Sequence, residues 1–102
     1  MISAVISRRD EIAQLCRNFH VRRLDLFGSA ARGDDFEPEH SDLDLLVSYL
    51  PDRAPDFAAY LALSDALTDL LGWPVDLVIA EAMENPFVRA GIERTRQPLY
   101  AA

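Results

Sequence analysis

Two short runs, LDLLV at residues 43–47 and VDLVI at residues 75–79, are too apolar for loops and too short for helices of their own. Both read as core strands of a sheet. Each carries an aspartate where burying a charge is costly, and the first has another, Asp42, just ahead of it. A domain built on such strands must either neutralise those carboxylates or use them.

The flanking segments supply the other layers. Ile12, Leu15, Cys16 and Phe19 repeat at helical spacing, and Ser7 ahead of Asp10 and Glu11 suits an N-cap, so a first helix is expected over 7–19, ending at a solvent-facing His20. Residues 21–27 form a short apolar strand that Gly28 stops. A single helical turn is expected over 29–33, then a polar loop over 34–41, and the second strand over 42–49. Phe57, Tyr60, Leu61, Ser64, Leu67, Leu70 and Leu71 keep 3–4 spacing, which predicts a helix that Gly72 terminates. A third strand over 75–79 and a last helix near 86–96 follow, after which residues 98–100 trail off. The order predicts one small α/β or α+β domain spanning residues 1–102, with a three- to four-stranded mixed β-sheet flanked by helices.

Alternation along a strand puts Asp42 and Asp44 on one face, where like charges repel unless a cation shares the site. An edge strand with one polar face would also read Asp-x-Asp. Asp76 argues against that, because it repeats the anomaly in the other strongly apolar strand. Three aspartates on two core strands form the oxygen ligand set suited to Mg²⁺. Gly28 at a strand end permits close backbone approach. A helical turn opening at Ser29 would aim N–H groups and its positive end at an anion. Arg32 is open between a phosphate contact and an ion pair with a loop acid. A phosphate cradle facing a metal site suits a nucleotide.

Composition narrows the chemistry. All ten basic residues are arginine, which excludes Schiff-base chemistry and a Walker-type phosphate lysine. A net charge of −7 argues against direct nucleic-acid binding through phosphates and suits docking on a basic partner. Cys16, the single cysteine, reads as an inert buried thiol and fits a reducing cytoplasm. No apolar stretch approaches the roughly 20 residues of a membrane span.

Taken together, GSAARG, SDLDLLV and VDLV resemble the nucleotidyltransferase superfamily that includes DNA polymerase β and kanamycin nucleotidyltransferase. The resemblance is closer to the MNT (minimal nucleotidyltransferase) proteins, many of which are antitoxins paired with HEPN ribonuclease toxins. It spans essentially the whole chain, although the linker over 30–41 is longer than the family's commonest spacing. It implies a small α+β nucleotidyltransferase fold in which Gly28 and Ser29 hold the β and γ phosphates of ATP. It further implies that Asp42 and Asp44 ligate two Mg²⁺ ions, and that Asp76 ligates the catalytic ion and helps deprotonate the attacking hydroxyl. The implied activity is AMP transfer from ATP to a tyrosine of a HEPN-type toxin. A non-catalytic antitoxin acting by occlusion, and a subunit modifying a small molecule such as an aminoglycoside, are the alternatives. His40 reads as a solvated loop residue, Trp73 as packing at the third strand's entry, and Phe87, Val88 and Ile92 as either core or a partner patch.

Overall fold

The computed structural model describes residues 3–28, 31, 42–53 and 55–102. The turn expected over 29–33, apart from Ala31, and the loop over 34–41 lie outside the described residues.

The N-terminal segment forms two helices, α1 (Ser3–Ile6) and α2 (Arg9–Asn18). Ser7 was expected to cap the first helix, but its hydroxyl donates to the Ala4 carbonyl at 3.1 Å and closes α1 instead. The N-cap of α2 is Arg8, whose guanidinium pairs with Glu11 at 3.1 Å rather than capping the backbone. Ile12 and Cys16 reach the core, with Leu15 and Phe19 packed against it. His20 ends the helical path in a left-handed conformation, φ 60°, and its carbonyl accepts from the Leu50 N–H at 3.0 Å.

Four strands form one sheet in the order β3-β2-β1-β4: β1 (Val21–Phe27), β2 (Leu43–Tyr49), β3 (Val75–Ile79) and β4 (Gln97–Ala101). β1 runs antiparallel to β2 and to β4, whereas β2 and β3 are parallel. A parallel pair needs a long crossover, and α3 (Phe57–Leu71) supplies it. Asp56 caps α3 by accepting from the Ala59 N–H at 2.8 Å, and Gly72 at φ 80° ends it in a left-handed cap.

β4 corrects the expectation that the chain trails off after the last helix. Pro98 lacks a ladder donor, so the segment reads poorly as a strand, but a proline is tolerated on a sheet edge. Here it pairs opposite Asp25 of β1.

Leu24, Leu26, Leu43, Leu45, Val47 and Leu77 are buried, forming the sheet face covered by α2 and α3. Leu63, Leu67 and Leu71 of α3 meet them, and the Tyr60 hydroxyl donates to the Leu77 carbonyl. Phe57 and Leu61, expected on the buried side, are 73% and 43% exposed. The helix is apolar around most of its circumference, so spacing alone did not choose between overlapping stripes. Trp73 packs against the core ahead of β3, as expected. Cys16 is fully buried, and burial pushes its thiol up to about 12 against the opposing effect of Arg17. Among the described residues no helix is long and apolar enough to cross a membrane.

The last helix, α4 (Pro86–Thr95), starts where Asn85 accepts from the Phe87 N–H at 2.9 Å. Of the three apolar residues left open by sequence, Ile92 is buried, whereas Phe87 and Val88 are exposed.

Candidate active site

Asp44 sits at the centre of the second sheet face. Its Cα pairs with Phe27 across the antiparallel ladder and with Asp76 across the parallel one. Register partners on neighbouring strands lie about 4.8 Å apart and project to the same side. The two carboxylates are therefore held side by side by the backbone itself. β2 begins at Leu43, whose N–H donates to the Pro74 carbonyl at 2.9 Å, so Asp42 lies one residue ahead of the strand and is exposed. Strand alternation thus does not set its position, contrary to expectation.

Charge coupling ties the three acids together. Burial, then Asp76, then Asp42 raise the Asp44 carboxyl above its ordinary range. Among the described residues no three such side chains are gathered into a ready-made cation cage.

Gly28 closes the site from the other side. Its φ is +73°, and a Cβ there would stand 2.5 Å from the Asp44 Oδ2. A larger residue would strain the backbone and push the central carboxylate aside. The Gly28 N–H donates to the Thr95 Oγ1 at 3.2 Å, and its carbonyl accepts from the Ala31 N–H at 3.2 Å. Thr95 joins the end of α4 to the strand-end glycine across 67 residues of sequence, a link no local pattern announces. Ser29, Arg32 and His40 lie outside the described residues.

A second carboxylate on this face, Asp25, escaped the sequence reading although it repeats the signal of Asp44, an aspartate amid apolar strand residues. It is fully buried and held by Arg23 at 3.0 Å and by Arg96, whose Nε donates at 2.9 Å.

A mixed four-stranded sheet with a strand-end glycine packed on a carboxylate, and a second carboxylate beside it on a parallel strand, defines a site able to hold a hard cation and a phosphate together. Residues 9–99 match the family described as the nucleotidyltransferase domain, and the chain belongs to that family. A Methanocaldococcus jannaschii relative provisionally named protein adenylyltransferase MJ0128 is 40% identical, over 78% of this chain and 76% of its own. Protein adenylyltransferase MntA of Thermococcus cleftensis is 35% identical, over 71% of this chain and 69% of its own. A solved structure provisionally described as a minimal nucleotidyltransferase superposes with a TM-score of 0.74 at 35% identity, covering 92% of this chain and 91% of that one. A toxin–antitoxin structure with AMP-PNP shares the fold at 23% identity and a TM-score of 0.71, over 92% of this chain and 73% of that one.

Proposed function

We propose that this chain transfers AMP from ATP to a tyrosine hydroxyl of a partner protein, a HEPN-type ribonuclease toxin whose activity the modification blocks. The observation that carries this reading is the Asp44–Asp76 pair on neighbouring parallel strands with Gly28 packed on Asp44. Relatives named protein adenylyltransferase support the reaction type. The toxin–antitoxin neighbour with AMP-PNP supports the class of partner.

In this reading Gly28 and Ser29 receive the β and γ phosphates, and Arg32 adds a guanidinium. Asp42, Asp44 and Asp76 offer an all-oxygen donor set that fits Mg²⁺. Mg²⁺ bound by these carboxylates would supply the charge that neutralises the phosphates and polarises the α-phosphate and the leaving group. The partner's tyrosine oxygen attacks the α-phosphorus in line, forming a new P–O bond as the bond to the β-phosphate oxygen breaks and pyrophosphate leaves. Asp76, exposed at the rim, receives the tyrosine proton. Asp44, whose carboxyl burial, Asp76 and Asp42 raise above its ordinary range, is the ligand whose charge a bound cation would favour most.

The test is mass spectrometry of the co-expressed partner after incubation with ATP and Mg²⁺. A mass gain of one AMP on a tyrosine is the expected result. An unmodified partner that nevertheless binds this chain overturns the reading in favour of occlusion.

A further inference from the structure

The face that carries Asp44 continues along β2 to Leu46 and Ser48, where it hollows into a cavity of about 230 Å³. Arg22, Arg23, Arg89 and Arg96 line it, with Glu93 as its acidic residue among those described. In a chain with net charge −7, four of the ten basic residues meet around one small hollow.

These guanidiniums are not equivalent. Arg96 is committed to Asp25 and Glu93, and Arg23 to Asp25. Burial works against the Arg96 charge, but its bonds to Asp25 and Glu93 outweigh that and raise its pKa. Arg22 donates at 3.0 Å to the Ser48 hydroxyl, which passes its own proton toward Glu81 at 2.6 Å. Among the described residues neither Arg22 nor Arg89 takes part in an ion pair. Among the described residues, therefore, two exposed positive charges at the cavity have no direct ion-pair partner, Arg22 reaching Glu81 only through the Ser48 hydroxyl.

Location gives that charge a use. Gly28 lies just past the Phe27–Asp44 pairing, whereas Arg23–Ser48 and Asp25–Leu46 pair in the opposite direction along the same ladder. At roughly 3.3 Å per residue, Leu46 and Ser48 stand about 7 and 13 Å from Asp44. The phosphate cradle and the arginine cavity thus flank the carboxylates from opposite sides. In-line displacement also puts the departing pyrophosphate and the entering hydroxyl on opposite sides of the phosphorus. Resting on the transfer reading above, the cavity falls on the acceptor side.

We propose that this cavity docks an acidic side chain of the partner's acceptor segment, next to the tyrosine that receives the nucleotide. Arg22 and Arg89 grip the carboxylate, and Arg23 and Arg96, fixed by Asp25, shape the floor. Exposed Phe87 and Val88, just ahead of Arg89 on α4, offer apolar cover to the residues flanking it.

The probe is a fluorescent peptide bearing one tyrosine between glutamates, compared with the same peptide bearing glutamines. Anisotropy titration of the full chain without nucleotide should show roughly tenfold tighter binding of the glutamate peptide, the scale of a charge-assisted contact. Arg22→Glu combined with Arg89→Glu should erase that preference, while Arg53→Glu, an exposed charge reversal away from the cavity, should keep it. Equal binding of both peptides by the natural chain overturns the proposal, as does a preference that survives the double reversal. A double reversal that raises the KM for ATP and leaves peptide selectivity untouched also overturns it, assigning the cavity to the nucleotide. Selective binding without any transfer to tyrosine would refute the transfer reading alone and leave the docking site standing.

Discussion

Asp25 and Asp44 share one sheet face, on neighbouring strands and two ladder positions apart, and they solve the problem of a strand carboxylate in opposite ways. Asp25 is sealed and gripped by Arg23 and Arg96. Asp44 is half-buried among other acids, with burial, Asp76 and Asp42 all working against its charge. The first carboxylate is compensated by the protein and serves the structure. Among the described residues no arginine pairs with the second, which leaves its charge disfavoured in the fold and makes it receptive to cations. An aspartate in an apolar strand therefore signals nothing until its counter-charge is located.

The largest test of that contrast is Asp42→Asn combined with Asp44→Asn. Transfer of AMP to the partner should fall by roughly 10³-fold, the scale of lost electrostatic stabilisation at a phosphoryl centre. The melting temperature in EDTA should nevertheless rise at neutral pH. A carboxyl whose pKa is raised in the folded state holds its proton more tightly there than in the unfolded chain. Its contribution is therefore most favourable below the ordinary 3.8 and is lost as pH climbs through the raised value. The natural chain should accordingly lose stability across that window, and the double variant should lose less. Mg²⁺ should stabilise only the natural chain.

At Asp25, Arg96→Met should behave in reverse, costing about 2–3 kcal/mol in urea unfolding because Asp25 is left buried with a single partner. A cost near zero would mean that Arg23 alone suffices. Gly28→Ala comes next. The left-handed backbone should cost about 1–2 kcal/mol, and displacement of Asp44 should reduce transfer beyond what the stability loss explains, measured at saturating ATP. Arg23→Gln should have the smallest effect, below about 1 kcal/mol, since its side chain is 45% exposed. A larger loss would show that the two arginines share Asp25 evenly.

The first three strands were legible because their apolar runs are short and sharply bounded, and α3 and α4 because Gly72 and Asn85-Pro86 punctuate them. β4 was not, since its strand character exists only through pairing with β1. At the site, Asp44 and Asp76 stood out as aspartates inside apolar strands, although the fold leaves Asp76 exposed, and Gly28 stood out by its place at a strand end. Their register partnership, Asp42's position outside the strand, and the Thr95 bond to Gly28 depend on contacts between distant segments. Asp25 carried the same written signal as Asp44; only the fold brings Arg96 to it, across 71 residues.

The Asp44–Asp76 register has a bearing on folding fidelity as well. A slip of β2 by one residue would swing every side chain to the opposite side. Asp44 would then enter the leucine layer beneath α2 and α3, while Leu43 and Leu45 would turn to the polar face that carries Asp25 and Ser48. Mispaired topologies are thereby made far costlier than an alternating apolar strand alone would make them. The residues that leave the native state strained also proofread how it is assembled.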